Sequence, residues 1–272
     1  MNNKLFWTSI LVVLVFGTIL FGQFFVDPAM SRILAADPNL PPSLDYPLGT
    51  QSEGRDVLVV LALGAPMSLL IGLIGGSVAL LIGTVLGFVS GYLGGIVDAI
   101  IRTIVDVGLT IPAIAILILI AASFPSITIV MMGLVIAFTS WMQPKRVIRA
   151  QVLSLREREF VRLAKLSGAS NFQIIFFELP PNLVPFLASC FVNAVSTAML
   201  ASIGLEVLGL GPQHTHTLGG LIYQGIYYNA MWRGLWWWWM PAIFVLVIIF
   251  LVLFFLSLTL DEISNPRFKS IS

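Results

Sequence analysis

The sequence predicts an all-α polytopic membrane protein with six transmembrane helices. Of its 272 residues, 58% are hydrophobic and 10% are charged, whereas soluble domains carry about 25% charged residues. Six apolar stretches also approach the roughly 20 residues that a helix needs to cross the hydrocarbon core of a bilayer. They lie at about 5–26, 66–91, 104–123, 127–142, 183–208 and 240–260.

The first apolar stretch is predicted to remain in the protein as a helix. It ends in Phe24-Phe25-Val26-Asp27, which lacks the small-residue pattern of a signal-peptide cleavage site. We therefore divide the chain into residues 1–65, the first transmembrane helix with an extracytoplasmic segment, and residues 66–272, a five-helix core. Among the later stretches the fourth is the shortest, with Thr139, Ser140 and Trp141 near its end.

Glycines recur in the second stretch, mostly four residues apart. Such spacing lines one face of a helix and lets a neighbouring helix approach closely. The face is expected either to pack tightly against another helix or to line a moving seam. Its members are Gly72, Gly76, Gly83, Gly87, Gly91 and Gly95.

Basic residues predict the orientation, because cytoplasmic loops of membrane proteins carry an excess of Lys and Arg. With the N-terminus inside, eleven of the fourteen basic residues fall in the cytoplasm, and only Arg32, Arg55 and Arg233 face outward. We therefore expect both termini to be cytoplasmic. The loop at about 143–182, here called the polar loop, is expected on the same side.

The sequence predicts neither catalytic residues nor a metal site. It has no G-x-x-x-x-G-K-[ST] phosphate loop, so the chain is not expected to hydrolyse ATP itself. His214 and His216 are the only histidines, and they have no carboxylate or cysteine close by in sequence, which makes them weak metal ligands. The single cysteine, Cys190, excludes a disulfide framework, and a net charge of +1 gives no reason to expect a nucleic-acid partner.

Three residues are candidates for the transport pathway or its gate. Glu206 lies near the outer end of the fifth stretch, where an acid could sit at the interface, line or gate a pathway, or contact a partner subunit. Trp232 and Trp236 belong to a tryptophan-rich run that enters the sixth stretch. Indole rings favour the headgroup region, and stacking on a sugar or an aromatic substrate is the alternative.

The polar loop gathers seven of the fourteen basic residues. Ser154–Gly168 predicts an amphipathic helix with Phe160, Leu163, Ala164 and Ser167 on its apolar face. Gly168 should end this helix, and Ser170 or Asn171 should cap a second short helix, Phe172–Glu178, that Pro180-Pro181 stops. Attraction to anionic membrane lipid is one explanation for the charge. The seven residues are Lys145, Arg146, Arg149, Arg156, Arg158, Arg162 and Lys165.

The segment Arg158–Asn182, R-E-F-V-R-L-A-K-L-S-G-A-S-N-F-Q-I-I-F-F-E-L-P-P-N, resembles the cytoplasmic E-A-A-x-x-x-G-x(9)-I-x-L-P signature of ABC importer permeases. Further matches resemble the dipeptide/oligopeptide/nickel permease family and follow in order from about residue 47 to 267. They are Pro47–Thr50, Gly54–Leu58, Arg149–Leu153, Leu208–Gly211 and Asn265–Arg267.

The resemblance implies a multi-pass subunit in the cell membrane of a prokaryote. It implies a second homologous permease subunit, two ABC ATPase subunits or domains that hold ATP and Mg, and an extracytoplasmic solute-binding protein. Solute would arrive at an outer mouth formed by 27–55 and 209–239, and the polar loop would dock on an ATPase through Glu159–Phe177. The implied coupling residues are Arg158, Glu159, Phe160, Arg162, Leu163, Ala164, Gly168, Ala169 and Ser170.

Departures from the family pattern bear on the substrate. Arg162 and Leu163 replace the Glu and Ala of the signature, Glu178 replaces its Ile and Pro180 its Leu. Peptide-type members often carry an acid where this chain has Ser202, one helical turn before Glu206. An oligopeptide is the expected solute, and an oligosaccharide is the alternative because of the tryptophan-rich outer segment. An ion-driven secondary transporter should carry several intramembrane ionisable residues, whereas Glu206 stands nearly alone.

Overall fold

The computed structural model describes residues 3–264, and this part of the chain is helical with no β-strand. The family match at Asn265–Arg267 and the predicted position of the C-terminus lie outside the described residues. The helices are α1 Asn3–Gly22, α2 Val57–Leu93, α3 Gly95–Thr110, α4 Ala113–Ala122, α5 Ile129–Ser140, α6 Met142–Leu155, α7 Glu159–Leu166, α8 Asn171–Gln173, α9 Leu179–Val207, α10 Leu218–Tyr227 and α11 Trp236–Ser264. Short 3₁₀ turns cover Gln23–Phe25 and Pro28–Ser31, and a π-helical turn covers Ile174–Glu178.

Four described segments are long and apolar enough to cross a membrane. They are Phe6–Phe25, Val57–Leu93, Asn171–Val207 and Trp236–Glu262. A fifth crossing results if α3 and α4, which meet at 81°, count as one broken span. The apolar helix of the predicted fourth span, α5, has only 12 residues. Four or five of the six expected spans are therefore present by length and composition.

The predicted third span is broken at Ile111-Pro112. Proline has no N–H for the helix ladder, and its ring disfavours helical geometry in the residue before it. Ile111 accordingly takes an extended conformation, with φ −86° and ψ 128°. The 16-residue α3 before this break carries Asp98, Arg102 and Asp106 at four-residue spacing.

Helix α2 packs against most of the other long helices. It begins nine residues before the predicted span, where the Asp56 side chain caps it by accepting from the Leu58 N–H at 2.8 Å. The helix therefore crosses the boundary at residue 65 that we predicted between the first segment and the five-helix core. Its glycines lie at the contacts: a Cβ at Gly76 would be 2.6 Å from the Val195 backbone nitrogen on α9. Gly83, Gly87 and Gly91 meet α6 in the same way. The glycine face of α2 therefore packs against two helices, whereas Gly95, which was predicted on the same face, begins α3 and has open space around it.

The segment between α1 and α2 owes its shape to the Pro47–Thr50 and Gly54–Leu58 motifs. The Thr50 hydroxyl donates to the Asp37 carbonyl at 2.6 Å and accepts from the Leu40 N–H at 2.8 Å. Gly54 has φ +70°, which favours glycine. Thr50 also pairs with Asp56 across an isolated bridge. These contacts fix the loop directly above the start of α2.

Candidate functional site

The polar loop bends where the sequence predicts it to bend. Helix α7 is followed by Gly168 with φ +83°, and the Ala169 N–H donates to the Ala164 carbonyl at 3.0 Å, as at many helix C-termini. The next turn opens with a capping box: the Gln173 N–H donates to the Ser170 Oγ at 3.2 Å, and the Ser170 N–H to the Gln173 Oε1 at 2.8 Å. The predicted roles of Gly168 and Ser170 in ending and starting helices are confirmed.

Pro180 and Pro181 do not stop the second helix, so that prediction is wrong. The chain runs from α8 through the π-helical turn Ile174–Glu178 directly into α9. Both prolines fall in the first turn of α9, where a missing N–H costs little. The π-helical turn shifts the hydrogen-bonding register just before the prolines, and such a shift lets the helix continue.

The buried side of α7 also differs from the predicted face of Phe160, Leu163, Ala164 and Ser167. Val161 is the buried residue of this helix, with Phe160 and Ala164 half-buried beside it, whereas Leu163 and Ser167 are exposed. Val161 enters an apolar cluster with residues of α2, α6 and α9. That cluster contains Phe88, Tyr92, Ile148, Val152, Ile174, Ile175, Leu179 and Leu183.

Large apolar side chains of the polar loop are exposed on the surface that faces away from the packed helices. Leu163 is 62% exposed and Leu166 is 85% exposed. The Phe172 ring contacts Phe176 in a tilted arrangement and Phe177 edge-on, with centroid distances of 4.9 and 6.2 Å. We call these five residues the apolar patch. Exposed charged residues, Arg158, Glu159 and Arg162, lie on the same short helix or at its start.

Most of the basic residues in the polar loop bind within the chain. Arg149 on α6 forms a two-point ion pair with Asp98 on α3, and Arg146 pairs with Asp106 at 2.8 Å. Hydrogen bonding to Asp98 raises the pKa of the Arg149 guanidinium further above its usual range. Three others also have intrachain surroundings: Lys145 is buried, Arg156 pairs with Glu157 and Lys165 lies 5.1 Å from the Tyr92 ring centroid. Within residues 3–264, Arg158 and Arg162 are the two of the seven whose side chains are exposed and have neither an ion pair nor a contact with an aromatic ring.

Glu206 is buried inside the chain, with 1% of its surface exposed. Its carboxylate accepts from the Ser202 hydroxyl and, at 3.1 Å, from the Gly220 N–H at the start of α10. A Cβ on Gly219 would collide with the Glu206 side chain, so the helix start fits closely over the carboxylate. Glu206 therefore ties α10 to the end of α9, which disfavours a position at the open membrane interface.

The tryptophan run divides between surface and core. Trp232 is 91% exposed and Trp236 is 54% exposed, whereas Trp238 is fully buried. A Cβ at Gly49 would lie 2.7 Å from the Trp237 Cδ1, so this indole packs against the segment before α2. Trp232 and Trp236 remain the accessible members of the run, and neither lines the cavity described next.

A cavity of about 590 Å³ lies between the segment before α2, the α9–α10 loop and α10. We call it the outer cavity. Burial and the nearby Arg55 lower the pKa of His216 below its usual range. The walls of the outer cavity bring together parts of the two segments expected to form the outer mouth. They include Ser31, Arg32, Ile33, Arg55, Val60, Glu206, Gly209, Gly211, Pro212, Gln213, His214, Thr215, His216, Thr217, Gly220, Leu221, Tyr223 and Gln224.

The family resemblance led us to expect these two segments at one mouth, but it did not indicate which side chains meet there, because residues such as Arg32 and His214 are far apart along the chain. The isolated basic residues of the outer segments were the available signal. Among the described residues, no group of three or more His, Cys, Asp or Glu side chains is arranged to hold a metal ion.

Comparison with known proteins gives a consistent result. The family model for the binding-protein-dependent transport system inner membrane component matches residues 83–270. The chain is similar to a dipeptide transport system permease protein, DppC, of Bacillus subtilis, with 31% identity over 78% of this chain and 66% of that protein. It is similar to oligopeptide transport system permease proteins, OppC, of B. subtilis (30% identity, 77% of this chain, 69% of that protein) and Escherichia coli K12 (30%, 83% and 76%). The chain thus spans about two thirds of the length of the first two of these relatives.

Proposed function

This chain belongs to the family of binding-protein-dependent transport system inner membrane components, and we propose that it is the permease subunit of an ATP-driven importer of oligopeptides. The three relatives described above are dipeptide or oligopeptide permeases by name. A binding protein delivers the peptide to the outer cavity. A second homologous permease completes the pathway, and two ATPase subunits hold ATP and Mg²⁺.

The apolar patch is the observation that carries this proposal. Exposed apolar side chains rimmed by charged residues are typical of protein interaction surfaces. Leu163, Leu166 and Phe172 are each more than half exposed, and Arg158 and Arg162 beside them are free to pair with acidic residues of a partner. The patch supports docking of an ATPase, with Glu159–Phe177 as the contact segment.

The base of α7 gives the docked ATPase a mechanical connection to the membrane helices. Val161 is buried in the cluster formed by α2, α6 and α9, so a displacement of α7 moves the packing of all three. ATP-dependent closure of the ATPase can shift the inward-facing and outward-facing populations only if the ATPase binds the two states differently. Because α7 is anchored on these helices through Val161, we propose that it presents a different surface to the ATPase in each state.

We propose six crossings with both termini cytoplasmic. The broken pair α3 and α4 provides the third crossing and α5 the fourth, while α6 extends this crossing into the polar loop. In this arrangement Glu206 and the outer cavity lie on the extracytoplasmic side. Membrane lipid surrounds the exposed apolar faces that the partner permease leaves uncovered.

Reconstitution tests the function. Proteoliposomes contain this chain, its paired permease and the ATPases, and receive the binding protein loaded with a labelled oligopeptide. We expect accumulation with ATP and none with a non-hydrolysable analogue. Accumulation that persists without ATP contradicts the proposal and favours ion-driven transport. ATP-dependent uptake of a labelled oligosaccharide in place of the peptide keeps the machinery and overturns the substrate class.

A further inference from the structure

The outer cavity has the size of a small-molecule site. Its volume of about 590 Å³ falls within the roughly 300–1,000 Å³ typical of ligand pockets. Three separate segments form its walls, and one of them, the loop 208–217, joins two helices that Glu206 ties together. The cavity walls are therefore held in place by the fold.

The cavity walls carry more positive than negative charge available to a ligand. Arg32 has no ion pair among residues 3–264, whereas Arg55 pairs with Glu53 at 2.8 Å and leaves its buried Nε–H without a hydrogen-bond partner. Glu206 is the carboxylate in the wall, and both of its oxygens already accept from Ser202 and Gly220. An anion entering the cavity thus meets two guanidinium groups and one carboxylate occupied by internal donors.

The cavity walls also carry neutral hydrogen-bonding groups. Tyr223, Gln213 and Gln224 line the cavity, and none of their side chains has a hydrogen-bond partner within the described part of the chain, although the Tyr223 ring lies 5.9 Å from that of Tyr227. The same is true of the imidazoles of His214 and His216. Several donors therefore converge on one space with no partner of their own.

We propose that the outer cavity binds the free C-terminal carboxylate of a peptide during its transfer from the binding protein, an inference that rests on the proposed peptide import. An arginine fork offers two parallel N–H groups that match the two oxygens of a carboxylate. Arg32 is the principal contact, because it is exposed and unpaired among the described residues, and the Arg55 guanidinium in the cavity wall adds a second positive charge. The tyrosine and glutamine side chains fix the orientation of the terminal peptide unit.

The test measures binding of a labelled tripeptide and its C-terminal amide to the complete permease–ATPase complex in lipid nanodiscs, without binding protein. We expect the free acid to bind roughly tenfold more tightly than the amide, as for loss of a charge-assisted contact. Arg32→Gln should reduce this preference to about threefold or less. Arg233→Gln is the matched control, because Arg233 is an exposed arginine on the same side that contacts Ser52 at 3.0 Å and does not line the cavity. Its preference should equal that of the wild type.

Several outcomes overturn the proposal. Equal affinity for acid and amide in the wild-type complex does so, as does an undiminished preference in Arg32→Gln or the absence of binding at millimolar peptide. If Arg32→Gln instead weakens attachment of the ligand-free binding protein and leaves the acid preference intact, the surface docks protein. ATP-driven uptake of acid and amide at equal rates removes this inference alone, whereas loss of ATP-dependent uptake of both removes the proposed function.

Discussion

Replacing Leu163 and Leu166 together with serine should detach the ATPase while leaving the permease folded. The two side chains are 62% and 85% exposed, so the substitutions remove little from the interior of the chain. If docking covers them fully, it buries the equivalent of roughly one and a half leucine side chains. At about 1.5–3 kcal/mol for each leucine, the lost binding free energy is about 2–4 kcal/mol. This corresponds to a dissociation constant that is roughly 30- to 1,000-fold higher.

The assay is titration of the purified ATPase onto the permease pair in nanodiscs, read by biolayer interferometry. Leu44→Ser is the matched control, because Leu44 is fully exposed in the segment before α2, on the predicted opposite side of the membrane. We expect the control to bind the ATPase as the wild type does. If the double variant also binds normally and its peptide-stimulated ATP hydrolysis is unchanged, the apolar patch does not face the ATPase and the reasoning fails.

Three further predictions concern single positions. Gly168→Val should weaken stimulated ATP hydrolysis several-fold, because a β-branched residue at φ +83° costs about 1–2 kcal/mol. Gly168→Asn should lose less activity, because asparagine tolerates this conformation. Equal activity of the two variants would show that the conformation of residue 168 does not limit coupling. Gly76→Ala should lower the melting temperature of the permease, since its Cβ would lie 2.6 Å from the Val195 nitrogen. Gly22→Ala should not lower it, because there is open space around Gly22. The same melting temperature for both variants would contradict the close packing of α2 against α9 at Gly76. Because the pKa of His216 is lowered in the folded chain, the unfolded state binds the proton more readily and stability should fall as the pH drops through about 6.5. The melting temperature should therefore fall more between pH 7.5 and 5.5 in the wild type than in His216→Gln, and an equal fall would refute the assignment.

Local chemistry accounts for the parts of the polar loop that the sequence predicts correctly. A glycine at a helix end and a serine three residues before a glutamine act through neighbouring backbone atoms, so Gly168 and Ser170 behave as expected. The continuation of the helix through Pro180 depends on a π-helical turn, which no local spacing shows. The rotation of α7 onto Val161 depends on the shape of the cluster beneath it, and the pattern of apolar residues alone gave a different face.

Ion pairs between residues far apart in sequence account for much of the positive charge in the polar loop. Along the sequence, the charge of the polar loop suggests a surface for lipid or a partner. In the fold, Asp98 and Asp106 on α3 bind Arg149 and Arg146, which lie 51 and 40 residues further along the chain. The surface left for a partner is therefore more apolar than its composition indicates. The resemblance indicates that the two outer segments form one mouth, but the side chains that line the outer cavity are not predicted, because its walls meet only after α9 and α10 fold against the segment before α2.

The length of α2 has a consequence for how the two sides of the membrane communicate. Its 37 residues extend over about 55 Å at 1.5 Å per residue, well beyond a hydrocarbon core of about 30 Å. One end is capped by Asp56 beneath the outer segment, and the other carries Tyr92 against the base of α7. A tilt of about one degree displaces one end by about 1 Å relative to the other. In the proposed importer, a small change in the tilt of this single helix would therefore be enough to couple the filling of the outer cavity to the position of the ATPase.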